Sequence, residues 1–283
     1  MIKLISGLRG ISFSALALAG AVLASSATLS VAAGGGKAPH IERQKWTFSG
    51  FFGYYDQAQL QRGYQVYKEV CSSCHGLKLL SYRNLSQHGG PGFTEEQVKA
   101  LAAEVEITYK KDGEDATRKA RPSDRFVSPE VGGDTVPPDL SVMAKARNTH
   151  SDAPWYLEPV GWAKDIASGY QEGGPDYIHA LLTGYKDAPA GEKIPDGMSY
   201  NPYFPGQKIS MTKPLSDDQV EYTDGSPKTV DQYSKDVTAF LMWAADPKLQ
   251  ERKQMGFRVL IYLFVLALLL YLAKKRLWSR IKH

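Results

Sequence analysis

Only two cysteines occur in the 283 residues, too few for a disulfide-stapled scaffold. Long apolar runs are equally scarce. A single one, near the C-terminus, is long enough to matter, which excludes a polytopic membrane protein. No internal repeat is visible. Acid is missing from both ends: residues 1–33 hold Lys3 and Arg9, residues 252–283 hold eight Lys or Arg, and neither stretch contains Asp or Glu. Residues 34–250 carry 24 basic against 29 acidic side chains, so the formal net charge of +4 conceals an acidic body of net −5. Charged residues at 23% and apolar ones at 43% exclude a disordered or collagen-like chain. Roughly 215 residues outside the membrane suffice for one domain with a sizeable core.

The ends carry membrane signals. Lys3 and Arg9 precede an apolar stretch from Ile11 to Ala24, and small residues then lead to Val31-Ala32-Ala33. This is the pattern of a secretory signal peptide over residues 1–33, cleaved after Ala33, with Ala27 as a second site. Val259 to Ala273 is an uncharged run that Gly256, Phe257, Leu277 and Trp278 extend to membrane-spanning length. We therefore expect an exported domain over residues 34–250, a transmembrane helix over 251–275 and a basic tail over 276–283. Lys274, Lys275, Arg276, Arg280 and Lys282 place that tail in the cytoplasm by the positive-inside rule.

Helix signals within the domain are few. Asp56 can cap a helix whose apolar positions Leu60, Tyr64, Tyr67 and Cys71 recur at helical spacing. Thr94 opens a second with Val98, Leu101, Ala102 and Val105 on one face, Asp176 to Thr183 reads as a third ended by Gly184, and Thr229 caps a fourth that closes at Asp246-Pro247. Pro/Gly-rich stretches at 128–139 and 187–206, and a hairpin-like Thr223-Asp224-Gly225 turn, separate them. The predicted class is mainly α with long irregular loops, and so much irregular chain calls for an organising cofactor.

Both cysteines fall in Cys71-Ser72-Ser73-Cys74-His75. C-x-x-C-H reads as a c-type haem attachment site: two thiols one turn apart can each form a thioether with a haem vinyl group, and the next imidazole can ligate iron. A thioredoxin-like pair needs no His, and structural zinc needs four ligands where no second Cys pair exists. For the sixth iron position the rivals are Met143, Met198, Met211, Met242 and Met255, with His40, His88, His150 and His179. Met242 falls on the fourth helix and Met255 at the membrane edge, where Met is usually packing. Spacing leaves Met198 and Met211 open.

The run Gly63 to His75, the segment Pro137-Pro138-Asp139-Leu140-Ser141, the block Asn201-Pro202-Tyr203-Phe204-Pro205-Gly206-Gln207 and the stretch Lys235 to Ala245 resemble cytochrome c1. That family is the haem c subunit of the quinol:cytochrome c oxidoreductase (bc1) complex. The resemblance covers residues 40–280 and implies a cytochrome c-like haem domain with insertions, plus one C-terminal transmembrane helix. It implies one covalently attached haem c per chain, with His75 and Met211 as axial ligands. Arg147 and Tyr177 correspond to contacts of the haem propionates, and Pro137 and Pro138 to chain packed on the haem. Two departures stand out. Some 25 residues between Arg147 and Gly173, including Trp155, Tyr156 and Trp162, have no functional reading, and Ser210 precedes the axial position where several relatives have Gly.

The implied activity is a one-electron relay from the Rieske iron–sulfur protein to a soluble c-type cytochrome, with no bond-making catalysis on this chain. The implied setting is a dimeric complex with cytochrome b, held by lipid in a bacterial inner membrane with the haem domain periplasmic; nucleic acid has no place in it. A stand-alone membrane-tethered shuttle or a haem-based sensor is the alternative. Acidic clusters at Glu95-Glu96, Glu104-Glu106 and Asp112-Glu114-Asp115 suit electrostatic steering of a basic acceptor.

Overall fold

Three helices begin where the sequence supplies a side-chain cap. Asp56 Oδ1 accepts the backbone N–H of Gln59 at 3.0 Å and starts α1 (Gln57–Val66). Thr94 and Gln97 form a reciprocal capping box at α2 (Glu95–Ala103). Thr229 Oγ1 accepts from the Gln232 N–H at 3.3 Å and starts α5 (Val230–Ala245), 16 residues long. Between α2 and α5 lie β1 (Glu106–Lys111), β2 (Glu114–Lys119), a one-turn α3 (Met143–Ala146), α4 (Gly173–Thr183), β3 (Ser199–Tyr200) and β4 (Lys208–Ile209). A 3₁₀ turn, Tyr82–Ser86, precedes α2, and α6 (Leu249–Trp278) ends the order. The computed structural model describes residues 39–111, 113–128, 136–147 and 172–279. The expected signal peptide and the stretch from 148 to 171 lie outside them.

The architecture is mainly helical, as the spacing predicts. The strands form two separate antiparallel pairs, β1 with β2 and β3 with β4. The β1–β2 hairpin departs from expectation, since Asp112-Gly113 separates strands that sequence patterning did not reveal; Gly113 takes φ +91°. Thr223-Asp224-Gly225, by contrast, turns without flanking strands, Asp224 Oδ1 accepting the Ser226 N–H at 3.0 Å. α4 begins at Gly173, three residues earlier than the pattern indicates, because Pro175 sits in the first turn where its missing N–H has no intrahelical partner to lose. Val105 lies beyond α2 and is exposed.

The body is organised by the crossing of α1 and α5. A Cβ at Gly63 would stand 2.1 Å from the Asp236 carbonyl oxygen and 2.7 Å from Phe240 Cβ, so the two backbones approach as closely as they do because residue 63 has no side chain. Around this contact Tyr64 and Tyr67 pack on Phe240, with centroids 5.6 and 5.7 Å away, and Phe240 packs on Trp243 at 5.6 Å. Such aromatic pairs contribute about 0.5–1.5 kcal/mol each beyond their burial. The wholly buried Asp236 is satisfied by donors on three residues: Arg62 through Nε at 3.0 Å and Nη2 at 3.4 Å, Tyr222 Oη at 2.9 Å and Gln232 Nε2 at 2.9 Å.

Beyond the crossing α1 widens into a π-helical turn, Tyr67–Cys71, closed by the Ser72 N–H on the Tyr67 carbonyl at 2.8 Å. Such turns are rare and mark functional positions. At the far end of α5, Asp246 receives Lys145 Nζ at 2.8 Å and Arg252 Nη2 at 2.5 Å, joining α3, α5 and α6. Burial works against the charged form of Asp246, yet these two cations hold its carboxyl below the usual carboxylate range.

Gly63→Ala tests the crossing. Alanine gains about 1 kcal/mol of helix propensity over glycine, but overpacking against α5 costs about 1–3 kcal/mol, and here the obstacle is backbone. The expected outcome is a lower melting temperature of the full chain in detergent, followed by circular dichroism; an equal or higher one contradicts the close approach.

Candidate functional site

Cys71 closes the π turn, and the Cys74 and His75 N–H groups fold back on its carbonyl at 3.1 and 2.9 Å, so one turn presents two thiols and an imidazole together. The cysteines are free rather than bridged, Cys71 half-buried against the core and Cys74 exposed. Burial, with Cys74 as a lesser contributor, pushes the Cys71 thiol up to about 12. A thioredoxin-like nucleophile needs the opposite shift.

The imidazole is oriented by chain 63 residues away. His75 Nδ1 lies 2.7 Å from the Pro138 carbonyl oxygen. That oxygen can only accept, so Nδ1 carries the proton and Nε2 keeps its lone pair for a metal. The same strap closes on the next residues: Leu140 N–H donates to the Gly76 carbonyl at 2.9 Å, Lys78 N–H to Asp139 Oδ2 at 2.8 Å and Leu79 N–H to Ser141 Oγ at 3.0 Å. Asp139 Oδ1 also accepts the Ser141 N–H at 3.0 Å, which stiffens the strap itself. Pro137 is half-buried and Pro138 exposed, so Pro138 acts here through its carbonyl. From the start of the π turn, Tyr67 Oη donates to the His75 carbonyl at 3.0 Å.

Met211 arrives on the second strand pair. Asn201, fully buried, donates through Nδ2 to the Leu181 carbonyl at 2.7 Å and accepts the Tyr203 N–H at 3.1 Å. Gly206 and Gln207 turn the chain with φ of +79° and +62°, and the Asn201 N–H closes the loop on the Gln207 carbonyl at 2.9 Å. The Tyr203 ring fits over Gly184, where a Cβ would stand 2.4 Å from it, clamping the loop to the end of α4. Met211 follows β4, packs half-buried against the core, and has its carbonyl held by Tyr185 Oη at 3.1 Å.

The remaining Met and His candidates differ in exposure and partners. Met198 is 40% exposed. Met242 is buried within α5, Met255 is exposed on α6, and Met143 is half-buried at the start of α3. His40 and His88 are exposed, and His150 lies outside the described residues. His179 is spoken for, its Nε2 lying 3.0 Å from Asp231 Oδ1; burial pushes its pKa down while Asp231 opposes that shift.

Arg147 and Tyr177 come together from α3 and α4, whose approach requires Gly174: a Cβ there would be 1.8 Å from the Ala144 carbonyl oxygen. Burial raises the pKa of Tyr177, and the Arg147 charge counters it. Burial pushes Tyr185 up to about 12, with Tyr177 contributing. The Arg147 charge thus bears on Tyr177, and Tyr177 on Tyr185, whose Oη holds the Met211 carbonyl. Sequence reasoning gave Tyr67 only a place on a helix face and gave Asp139 and Tyr185 no part in the site. Tyr67 has a signal in its helical spacing one turn before Cys71, whereas a lone Tyr after Gly184 has none.

The family model described as the cytochrome C1 family matches residues 46–281. The chain belongs to the cytochrome c1 family. It is 44% identical over 267 residues to the cytochrome c1 of Blastochloris viridis, covering 90% of this chain and 92% of that one. It is 42% identical over 282 residues to an Arabidopsis thaliana protein named cytochrome c1 1, heme protein, mitochondrial, covering 95% and 83%. A Bradyrhizobium diazoefficiens cytochrome b/c1 is 47% identical over 249 residues, 83% of this chain; the aligned part spans only 35% of that longer protein. The family match takes in the C-x-x-C-H turn, the strap, the Met211 hairpin and α6.

The donor set fits a haem c. Two unbridged thiols lie one turn apart beside an imidazole whose Nε2 is left for iron. It does not fit structural zinc, which takes four protein ligands: Cys71, Cys74 and His75 are three, and no group of His, Cys, Asp or Glu among the described residues is placed to hold a metal ion by itself.

Asp139→Ala tests the strap. Loss of the acceptor for the Lys78 and Ser141 amides should cost about 1–3 kcal/mol. Amide hydrogen exchange should show protection lost at Lys78 and Ser141 while α5 keeps its own. Unchanged protection at both amides contradicts the clamp.

Proposed function

We propose that this chain is the haem c electron-transfer subunit of a quinol:cytochrome c oxidoreductase. In this reading Cys71 and Cys74 would hold one haem c through thioethers, His75 Nε2 and Met211 sulfur would ligate its iron, and Arg147 and Tyr177 would bind its propionates. The bound group supplies a one-electron iron couple, and a Met–His ligand pair gives a closed, high-potential site. The residues do the positioning. The Pro138 carbonyl fixes the His75 tautomer and ring direction, Tyr67 fixes the His75 backbone, and Tyr185 fixes that of Met211. A guanidinium and a phenol suit propionate carboxylates, the one by charge and the other as a donor. Pro137 would pack against the ring edge. The observation that carries this reading is the 2.7 Å contact of His75 Nδ1 with Pro138 O, a ligand-orienting bond typical of metal-bound imidazoles.

Membrane attachment is supported by α6, 30 residues with a mean hydropathy of 2.3 in its most apolar window and none of that window buried. We assign residues 1–33 to a removed signal, 34–250 to the exported haem domain, 251–275 to the span and 276–283 to the cytoplasmic tail, in a bacterial inner membrane. The name of the Bradyrhizobium relative supports cytochrome b as a neighbour. The chain would take its electron from a Rieske protein and pass it to a soluble c-type cytochrome within a dimeric complex.

For that last step the acidic surface is smaller than composition implies. Lys68 pairs with Glu104 at 2.6 Å and Lys110 with Asp115 at 2.8 Å, while Glu95 and Glu96 in the first turn of α2, with Glu106 and Glu114, make no ion pair among the described residues and are the carboxylates for steering a basic partner.

Met211→Leu tests the ligation that this function needs. The expected outcome is a lower reduction potential, new binding of carbon monoxide, and loss of quinol-driven reduction of the soluble acceptor in the purified complex. An unchanged potential and spectrum would remove Met211 from the site.

A further inference from the structure

The first turns of α6 carry a second feature besides the stalk. Lys253 Nζ donates to the carbonyls of Phe48 at 2.7 Å and Gly50 at 2.5 Å, tying the loop before α1 to the helix. Beside this tie a cleft of about 240 Å³ opens between loop residues 51–54 and the α6 residues 250–258. Phe52 packs edge-on against Phe257 with centroids 5.5 Å apart. Even so, Phe51, Phe52 and Tyr54 remain 61%, 77% and 55% exposed. Three large aromatics bare within four residues form a patch that a water-facing surface rarely keeps.

Position and charge say what covers it. Arg258 lines the cleft and is the last charge before the uncharged run Val259–Ala273. At about 1.5 Å of rise per residue, Phe257 and Arg258 therefore stand within one helical turn of that run. Through its contact with Phe257, Phe52 stands at the same level. The lining contains Lys253 and Arg258 but no Asp or Glu, and Arg258 makes no ion pair among the described residues. A cation without a carboxylate, above an aromatic cleft continuous with a membrane-spanning helix, matches a molecule with an anionic head and an apolar tail.

We propose that this cleft seats one anionic phospholipid of the leaflet on the side of the haem domain, its phosphodiester paired with Arg258 and an acyl chain laid against Phe51, Phe52 and Phe257. The proposal rests on reading α6 as the membrane span. Its consequence concerns orientation. A single helix leaves the domain free to rock, whereas the Lys253 tie and a lipid-seated aromatic loop give a second point of attachment that fixes the height and tilt of the site for its electron partners.

The test uses the full-length haem-loaded chain and the variants Arg258→Gln and Phe52→Ala, in nanodiscs of phosphatidylcholine mixed with phosphatidylglycerol, followed by mild detergent release and native mass spectrometry. The wild type should retain phosphatidylglycerol in preference to phosphatidylcholine. Arg258→Gln should lose that preference and Phe52→Ala should retain one lipid fewer, with the haem absorption spectrum unchanged in each. Wild-type retention in both variants overturns the site. If Phe52→Ala instead sheds cytochrome b from the isolated complex with its lipid count unaltered, the face belongs to a protein partner and the proposal fails. Wild-type chain released from membranes by alkaline carbonate refutes the span and the site together, whereas an integral wild type with no phosphatidylglycerol preference refutes the site alone.

Discussion

The approach of α1 to α5 at Gly63 is the constraint on which the rest of the molecule hangs. With no Cβ at that position the Asp236 carbonyl can lie against the α1 backbone, and Tyr64, Tyr67 and Phe240 close around the contact. Tyr67 is where packing passes into chemistry. It is buried in this aromatic cluster, begins the π turn that ends at Cys71, and donates to the His75 carbonyl. The other end of α5 carries Asp246, which gathers Lys145 of α3 and Arg252 of α6. The reactive turn and the stalk are therefore referred to the same pair of helices.

The irregular chain is held by hydrogen bonds rather than by sheets. The strap from Pro138 to Ser141 fixes residues 75 to 79, and the Asn201 hairpin fixes the approach to Met211 through a fully buried amide. These bonds use backbone groups of segments that secondary structure does not satisfy, and leaving them buried and unpaired would cost about 1–3 kcal/mol apiece. Such loops can carry exact side-chain placement only because rigid helices flank them. That arrangement suits an electron carrier, which needs fixed ligands more than moving ones.

Local features were legible in the sequence. Asp56, Thr94 and Thr229 cap helices through bonds that span only three residues, and the C-x-x-C-H residues fall within a single turn. Distant ones were not. No periodicity links Pro138 to His75 or Tyr185 to Met211, because those contacts join segments far apart in the chain. The β1–β2 hairpin escaped because its strands are mostly solvated, so the apolar alternation that marks a half-buried strand is weak. Thr223-Asp224-Gly225 misled for the converse reason: Asp224 turns the chain to reach Arg62 at 2.7 Å rather than to pair strands.

The central claim is that Cys71, Cys74 and His75 form a covalent haem c turn. Intact mass spectrometry of the full chain purified from membranes, combined with thiol alkylation under denaturing conditions, tests it most directly. The account predicts a polypeptide heavier by one haem, with neither cysteine alkylated, and no mass gain when both are changed to Ser. A chain of unmodified mass with two alkylatable thiols, or with a Cys71–Cys74 disulfide, would contradict it.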